Sequence, residues 1–207
     1  MRVLPNGGRA ALVEVDDLDA VIGLHASLRA EALPGVLELV PGARTLLVTF
    51  DPAVTSADAL APELTRPRPE PAEALAGPRA PLVEIPTVYR GADLAEVAAL
   101  TGLPVAEVVA RHVAAEYTVA FCGFSPGFGY LTGGDPLLRV PRQDTPRTRV
   151  PAGAVAIADA FTGVYPRELP GGWRLIGRTS LPMWDLDRDP PAVLVPGTRV
   201  RFIEVPA

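Results

Sequence analysis

The chain has 207 residues, 48% of them hydrophobic and 21% charged, which is enough apolar material for one large core or two small ones and excludes a disordered polypeptide. Its formal net charge of −5 excludes binding along a phosphate backbone, which needs basic residues in surplus on one face. There is no lysine, so all 19 basic residues are arginines, and the single cysteine excludes an intramolecular disulfide and fits a reducing cytoplasm.

The first residues carry no apolar signal core, and no apolar run approaches about 18 residues, so neither a leader nor a membrane span is expected. Residues 9–15 read as a strand. Asp16, Asp17 and Asp19 suit the start of a helix, and Leu18, Val21, Ile22, Leu24, His25 and Leu28 recur at helical spacing up to about Ala32. Pro34-Gly35 ends it. Residues 36–40 and 45–50, joined by the turn 41–44, predict a β-hairpin, and Ser56 caps a short helix to about Leu64. Strand, helix, hairpin, helix is the order of a small α+β sandwich, here expected as a split βαβ arrangement.

Residues 65–81 hold five prolines and read as a linker, dividing the chain into a domain over 1–80 and a second over 81–207. Beyond it come a strand at 82–86 and two helices, 93–100 and 104–115, the second with Pro104 at its first turn. Strands are then expected at 117–124, 154–158, 173–177, 192–195 and 199–205. Many short strands between turn residues predict a closed or nearly closed barrel.

The densest chemistry lies between Phe121 and Pro182, where glycine, proline, rings and arginine alternate as shaped turns. Gly123-Phe124-Ser125-Pro126-Gly127 fits the G-x-S-x-G pattern of a hydrolase elbow, but its chemistry does not. The elbow needs the N–H of the residue after serine, which here is Pro126, and a histidine later in the chain, whereas His25 and His112 both precede it. No Cys or His partner stands at metal-ligand spacing from His112, which reads as a half-exposed helix residue, and no metal is expected. Cys122 reads as a packed strand residue. The lack of lysine excludes a standard P-loop. Arg142, Arg147 and Arg149 fall in one proline-rich loop; Arg147 and Arg149, at i and i+2 of an extended segment, point one way and suit a carboxylate or phosphate, the bland alternative being a basic turn paired with Asp144. Phe124 and Trp173, flanked by glycine and proline, read as pocket walls.

Four motifs in order, G-F-S-P-G-F-x-Y-L at 123–131, T-P-R-T-R-V-P-A-G at 145–153, T-G-x-Y-P at 162–166 and P-G-G-W-x-L-I-G-R-T at 170–179, resemble the family of bacterial 5-oxoprolinase B subunits, also called allophanate hydrolase subunit 1 and KipI-type kinase inhibitor. The chain is similar as well to part of the carboxyltransferase region of urea carboxylase. One departure is Gly129, where proline is expected, which implies a looser turn.

The resemblance implies an α+β N-terminal domain and a mainly-β, cyclophilin-like C-terminal barrel. It implies one member of an ATP-dependent 5-oxoprolinase complex that opens 5-oxoproline to L-glutamate, with the C subunit of that complex sharing the site and a third subunit for ring hydrolysis. A regulatory module that inhibits a sensor histidine kinase, or an allophanate or urea-amide hydrolase subunit, are the alternatives. An unstrained lactam is a poor electrophile, and phosphorylating its oxygen makes a leaving group; stabilising that transfer is a matter of positioning and positive charge. The candidate binding set for a small anionic substrate is Phe124, Ser125, Pro126, Gly127, Tyr130, Arg147, Arg149, Tyr165, Trp173 and Arg178, with the catalytic residues and the nucleotide site unassigned.

Overall fold

A computed structural model describes residues 1–67 and 82–206, so all but the first residues of the expected 65–81 linker lie outside the described residues. The chain divides into two compact units, Met1–Arg79 and Ala80–Ala207.

In the first unit, β1 (Arg2–Pro5), β2 (Ala10–Glu14), β3 (Val36–Pro41) and β4 (Thr45–Phe50) form an antiparallel sheet in the order β1-β2-β4-β3. The strands β2 and β3, joined by α1 (Leu18–Glu31), run parallel with β4 between them, which is the expected split βαβ arrangement. Alternation along β2 and β4 sends Ala11, Val13, Leu46, Val48 and Phe50 into one core with Val21, Leu24 and Leu28 of α1 and Leu60 and Leu64 of α2 (Ala57–Thr65). Asp17 and Ser56 cap these helices, accepting from the N–H groups of Ala20 (2.9 Å) and Ala59 (3.2 Å).

The second unit is a barrel. Its sheet runs β12 (Arg174–Arg178), β9 (Ala154–Ala158), β10 (Phe161–Val164), β7 (Gly129–Thr132), β6 (Tyr117–Cys122), β13 (Arg199–Glu204), β5 (Leu82–Thr87). The two ends meet: Val88, just past β5, exchanges backbone hydrogen bonds with Arg178 of β12 at 2.9 and 3.0 Å. Closure removes the exposed sheet edges that would otherwise invite pairing with other chains. Inward residues such as Ile85, Val119, Leu131, Val155, Ile157, Ile176 and Phe202 share one core with Leu94, Val97, Val108 and Val109 of α3 (Leu94–Thr101) and α4 (Val105–Ala114). The outward face of β9 is Ala154, Ala156 and Ala158, small residues that leave room for rings; there Phe128, Tyr165, Trp173, Val150 and Leu175 make a second core. The short sheet of β8 (Arg147–Val150) and β11 (Leu169–Gly171) completes the unit, Val150 and Leu169 supplying apolar contacts to the second core.

Two expectations change. The strand over 192–195 is reduced to one bridge, Ala192 to Trp184, because Pro190, Pro191 and Pro196 remove donors that a ladder needs. Gly129 is the first residue of β7, not part of a looser turn. Among the described residues, no single helix is long and apolar enough to cross a membrane.

Candidate functional site

Between β6 and β7 the chain reverses through two consecutive tight turns. Ser125 N–H donates to the Gly123 carbonyl (2.8 Å) around Phe124, whose φ is +68°. That combination is the positive-φ γ-turn, which is rare and strained for a residue with a side chain. Phe128 N–H then donates to the Ser125 carbonyl (2.9 Å) with Pro126 and Gly127 between them, Gly127 at φ +81°. Proline followed by a positive-φ glycine is the signature of a type II turn. Glycine is required at 127 for a second reason: a Cβ there would stand 2.9 Å from Trp184 Cβ, 3.1 Å from the Met183 carbonyl and 3.2 Å from Pro166 Cβ.

The strained turn lifts the Phe124 ring into solvent, 57% exposed, edge-on to Phe128 at 5.5 Å. It also sets Ser125, 8% exposed, with its Oγ accepting from Arg167 Nε at 3.1 Å. Phe124, Ser125, Pro126 and Gly127 form one side of an open hollow of about 490 Å³, and Trp184, Leu194, Val195 and Pro196 form the other. Cys122 also lines it, its Sγ 3.5 Å from the Leu194 carbonyl, and burial pushes its thiol up to about 11, so it is protonated and not a nucleophile near neutral pH.

The other candidate rings go elsewhere. Tyr130, Tyr165 and Trp173 surround Phe128 at centroid distances of 5.1, 5.3 and 5.4 Å, the edge-to-face spacing of a packed aromatic cluster. Trp173 is 5% exposed and fills the second core instead of walling a pocket. Its backbone N–H donates to the Tyr165 hydroxyl, and burial raises that phenol above its ordinary value. The hydroxyl lies so close to Gly171 that a Cβ there would collide with Tyr165 Oη.

The arginines separate too. Arg147 Nη2 meets Asp93 Oδ1 at 2.5 Å, and Asp93 also accepts from Gln143 Nε2 (3.0 Å) and the Leu175 N–H (2.7 Å), tying α3, β8 and β12 together. Arg149 pairs with Glu168 at 3.6 Å on the surface, and Arg142 with Asp159 at 3.7 Å. These basic residues therefore do not form one anion cradle, nor a turn paired with Asp144: each has its own carboxylate. Arg178 sits at the barrel seam opposite Val88, exposed and outside the lining of the hollow. Sequence alone does not single out Arg167, because a lone arginine after Tyr165-Pro166 carries no local signal; only the fold brings it to Ser125.

The elbow pattern fails in space as on paper. The turn links two strands, and the Ser125 hydroxyl is bonded to a guanidinium and not to an imidazole. His112 is fully buried in the barrel core and not half-exposed as expected, Nδ1 2.7 Å from the Tyr89 hydroxyl and its ring among Tyr117 and Phe202, and burial lowers it to about 3. Among the described residues no cluster of His, Cys, Asp and Glu could hold a metal.

A barrel of this design with its companion unit is shared with the crystal structure of Kluyveromyces lactis urea carboxylase, at a TM-score of 0.72 over 100% of this chain and 23% of that one; the 20% identity carries the fold alone. The family is narrower: residues 1–194 match the carboxyltransferase domain, subdomain C and D, and the chain belongs to it. The 5-oxoprolinase B subunit of Escherichia coli O157:H7 is 46% identical over 175 residues, 83% of this chain and 79% of that protein. The crystal structure of TTHA0988 in space group P212121 is 37% identical with a TM-score of 0.77, covering 97% of this chain; this chain spans 40% of that one.

Proposed function

We propose that this chain is the B subunit of an ATP-dependent 5-oxoprolinase, and that the hollow beside Phe124 and Ser125 is its part of a substrate site completed by a second polypeptide. The 46% identity to a 5-oxoprolinase B subunit supports the assignment. In this reading the unit over 81–207 is a cyclophilin-like barrel, the partner is the C subunit of the same complex, and a third subunit performs ring hydrolysis.

The observation that carries the site is the strained turn: a non-glycine residue held at φ +68° over a hollow, with an unshared serine proton beside it. Ser125 accepts from Arg167, and among the described residues its own O–H has no acceptor, so it is free to donate to an oxygen of a bound molecule. The exposed ring of Phe124 and the apolar wall opposite would seat a small ring and keep water from one face. Orientation and hydrogen bonding are what this side supplies. No nucleophile–base pair faces the hollow among the described residues, which is why the reading needs the partner.

ATP fits this chain poorly. There is no lysine, and among the described residues the helices start from Asp17, Ser56, Asp93 and Pro104, not from glycine-rich loops. In this reading the nucleotide is held by another subunit of the complex.

The test is reconstitution with the B, C and hydrolytic subunits and measurement of 5-oxoproline-dependent glutamate formation. Phe124→Ala and Ser125→Ala should each lower kcat/KM by roughly 10-fold while the barrel keeps its melting temperature within a few degrees. A folded Phe124→Ala protein that supports undiminished turnover overturns the site.

A further inference from the structure

We infer that Arg167 is a specificity-determining residue of the hollow, reading the carboxylate of the small substrate together with the Ser125 hydroxyl. The inference rests on the hollow being the substrate site and goes further by naming the group recognised and the residue that recognises it. Its geometric basis is independent of the family assignment. Arg167 Nε is committed to Ser125 Oγ at 3.1 Å, and among the described residues its two terminal nitrogens make no hydrogen bond or ion pair. The Nε contact holds the guanidinium of Arg167, an exposed residue, against Ser125, which is itself 8% exposed. Ser125 lines the hollow and Arg167 reaches it from behind that lining through this one bond, which leaves the serine O–H and the terminal N–H groups of Arg167 as donors on either side of the contact.

A guanidinium N–H and a neighbouring hydroxyl can each donate to one oxygen of a carboxylate, and the bond from the cation is the stronger, being charge-assisted. The nearest acid in sequence, Glu168, does not quench the site, because it faces Arg149 at 3.6 Å. Position is enforced from the other loop: the Cβ that Gly127 lacks would fall within 3.2 Å of Pro166, the residue before Arg167. The 123–127 turn and the turn carrying Arg167 therefore lie side by side, with no room for a methyl group between them. Arg142, Arg147, Arg149 and Arg174 each face a carboxylate, so Arg167 is set apart by meeting a hydroxyl instead.

The experiment compares two probes in the reconstituted complex: 5-oxoproline, and 5-oxoprolinamide, which keeps the ring and replaces the carboxylate by a neutral amide. With the wild-type protein, the acid is expected to be preferred in kcat/KM by roughly 100-fold. Arg167→Ala should lower kcat/KM for the acid by roughly 10- to 100-fold, chiefly through KM, and leave the amide unchanged, collapsing the preference. Arg167→Lys, which keeps the charge and loses the fork, should restore only part of it. Arg167→Gln, which keeps a donor to Ser125, serves if the alanine variant folds poorly, and should lose the preference as well. An equal loss for acid and amide, or no loss for either, overturns the inference. If either result comes with a Phe124→Ala variant that still impairs the acid, the hollow stands and only the role of Arg167 falls. If Phe124→Ala is also silent, the reading of the hollow falls with it.

Discussion

Two arginines of the barrel unit, Arg147 and Arg167, are put to opposite uses. Arg147 reaches an aspartate only 5% exposed at its side chain, and that aspartate is saturated by three donors from three segments. Arg167 touches a serine at the rim of an open hollow and keeps its terminal nitrogens free of protein partners among the described residues. A saturated contact is a strut; an unsaturated one is a socket. The first should respond to mutation as stability, the second as specificity.

The hardest way to break that contrast is at the strut. Asp93→Asn leaves the Arg147 charge without its counterion and should lower the unfolding free energy by about 3 kcal/mol, read by urea denaturation; a loss well under 1 kcal/mol would mean the contact is no strut. Acid should weaken the same core through His112. Its folded value near 3 lies below the ordinary 6.5, so the unfolded chain binds the extra proton, and stability present at neutral pH is lost as pH falls from 6.5 toward 3. Between pH 6.5 and 5 the loss should be about 2 kcal/mol, and His112→Gln should flatten it. Gly171→Ala, forced against Tyr165 Oη, should cost about 2 kcal/mol by overpacking, and scanning calorimetry would show it. At the socket, Ser125→Ala should change stability by less than about 1 kcal/mol although it impairs turnover. The smallest effect belongs to Arg149→Ala: its pair is exposed, and unfolding should move by under about 0.5 kcal/mol.

Elements with a strong local pattern are legible in the sequence. The 36–50 hairpin, the Ser56 cap and the helix after Pro104 fall within a residue or two of their expected places. Strands β7, β10 and β11 are not, because three or four residues that include glycine or proline read as turns, and only their ladder partners make them strands. Asp93 stands at a helix start, yet its carboxylate makes no cap; it is spent on Arg147, Gln143 and Leu175, which no local rule foresees. Among the candidate site residues, adjacency brings Phe124, Ser125, Pro126 and Gly127 together. Tyr130, Tyr165 and Trp173 share the aromatic core instead, since a ring flanked by glycines looks alike in sequence whether it walls a pocket or fills a core.

The seam at Val88 has a consequence for how the molecule is made. Strand β5 is the first of the barrel to leave the ribosome, yet both its neighbours come late, β13 running parallel to it from Arg199 and β12 meeting it at Arg178. Pairings this distant in sequence are slow, since the intervening loop must be closed before any contact is gained. The opening strand of the barrel therefore waits, unzipped on both sides, until Arg178 and then Arg199–Glu204 have been translated.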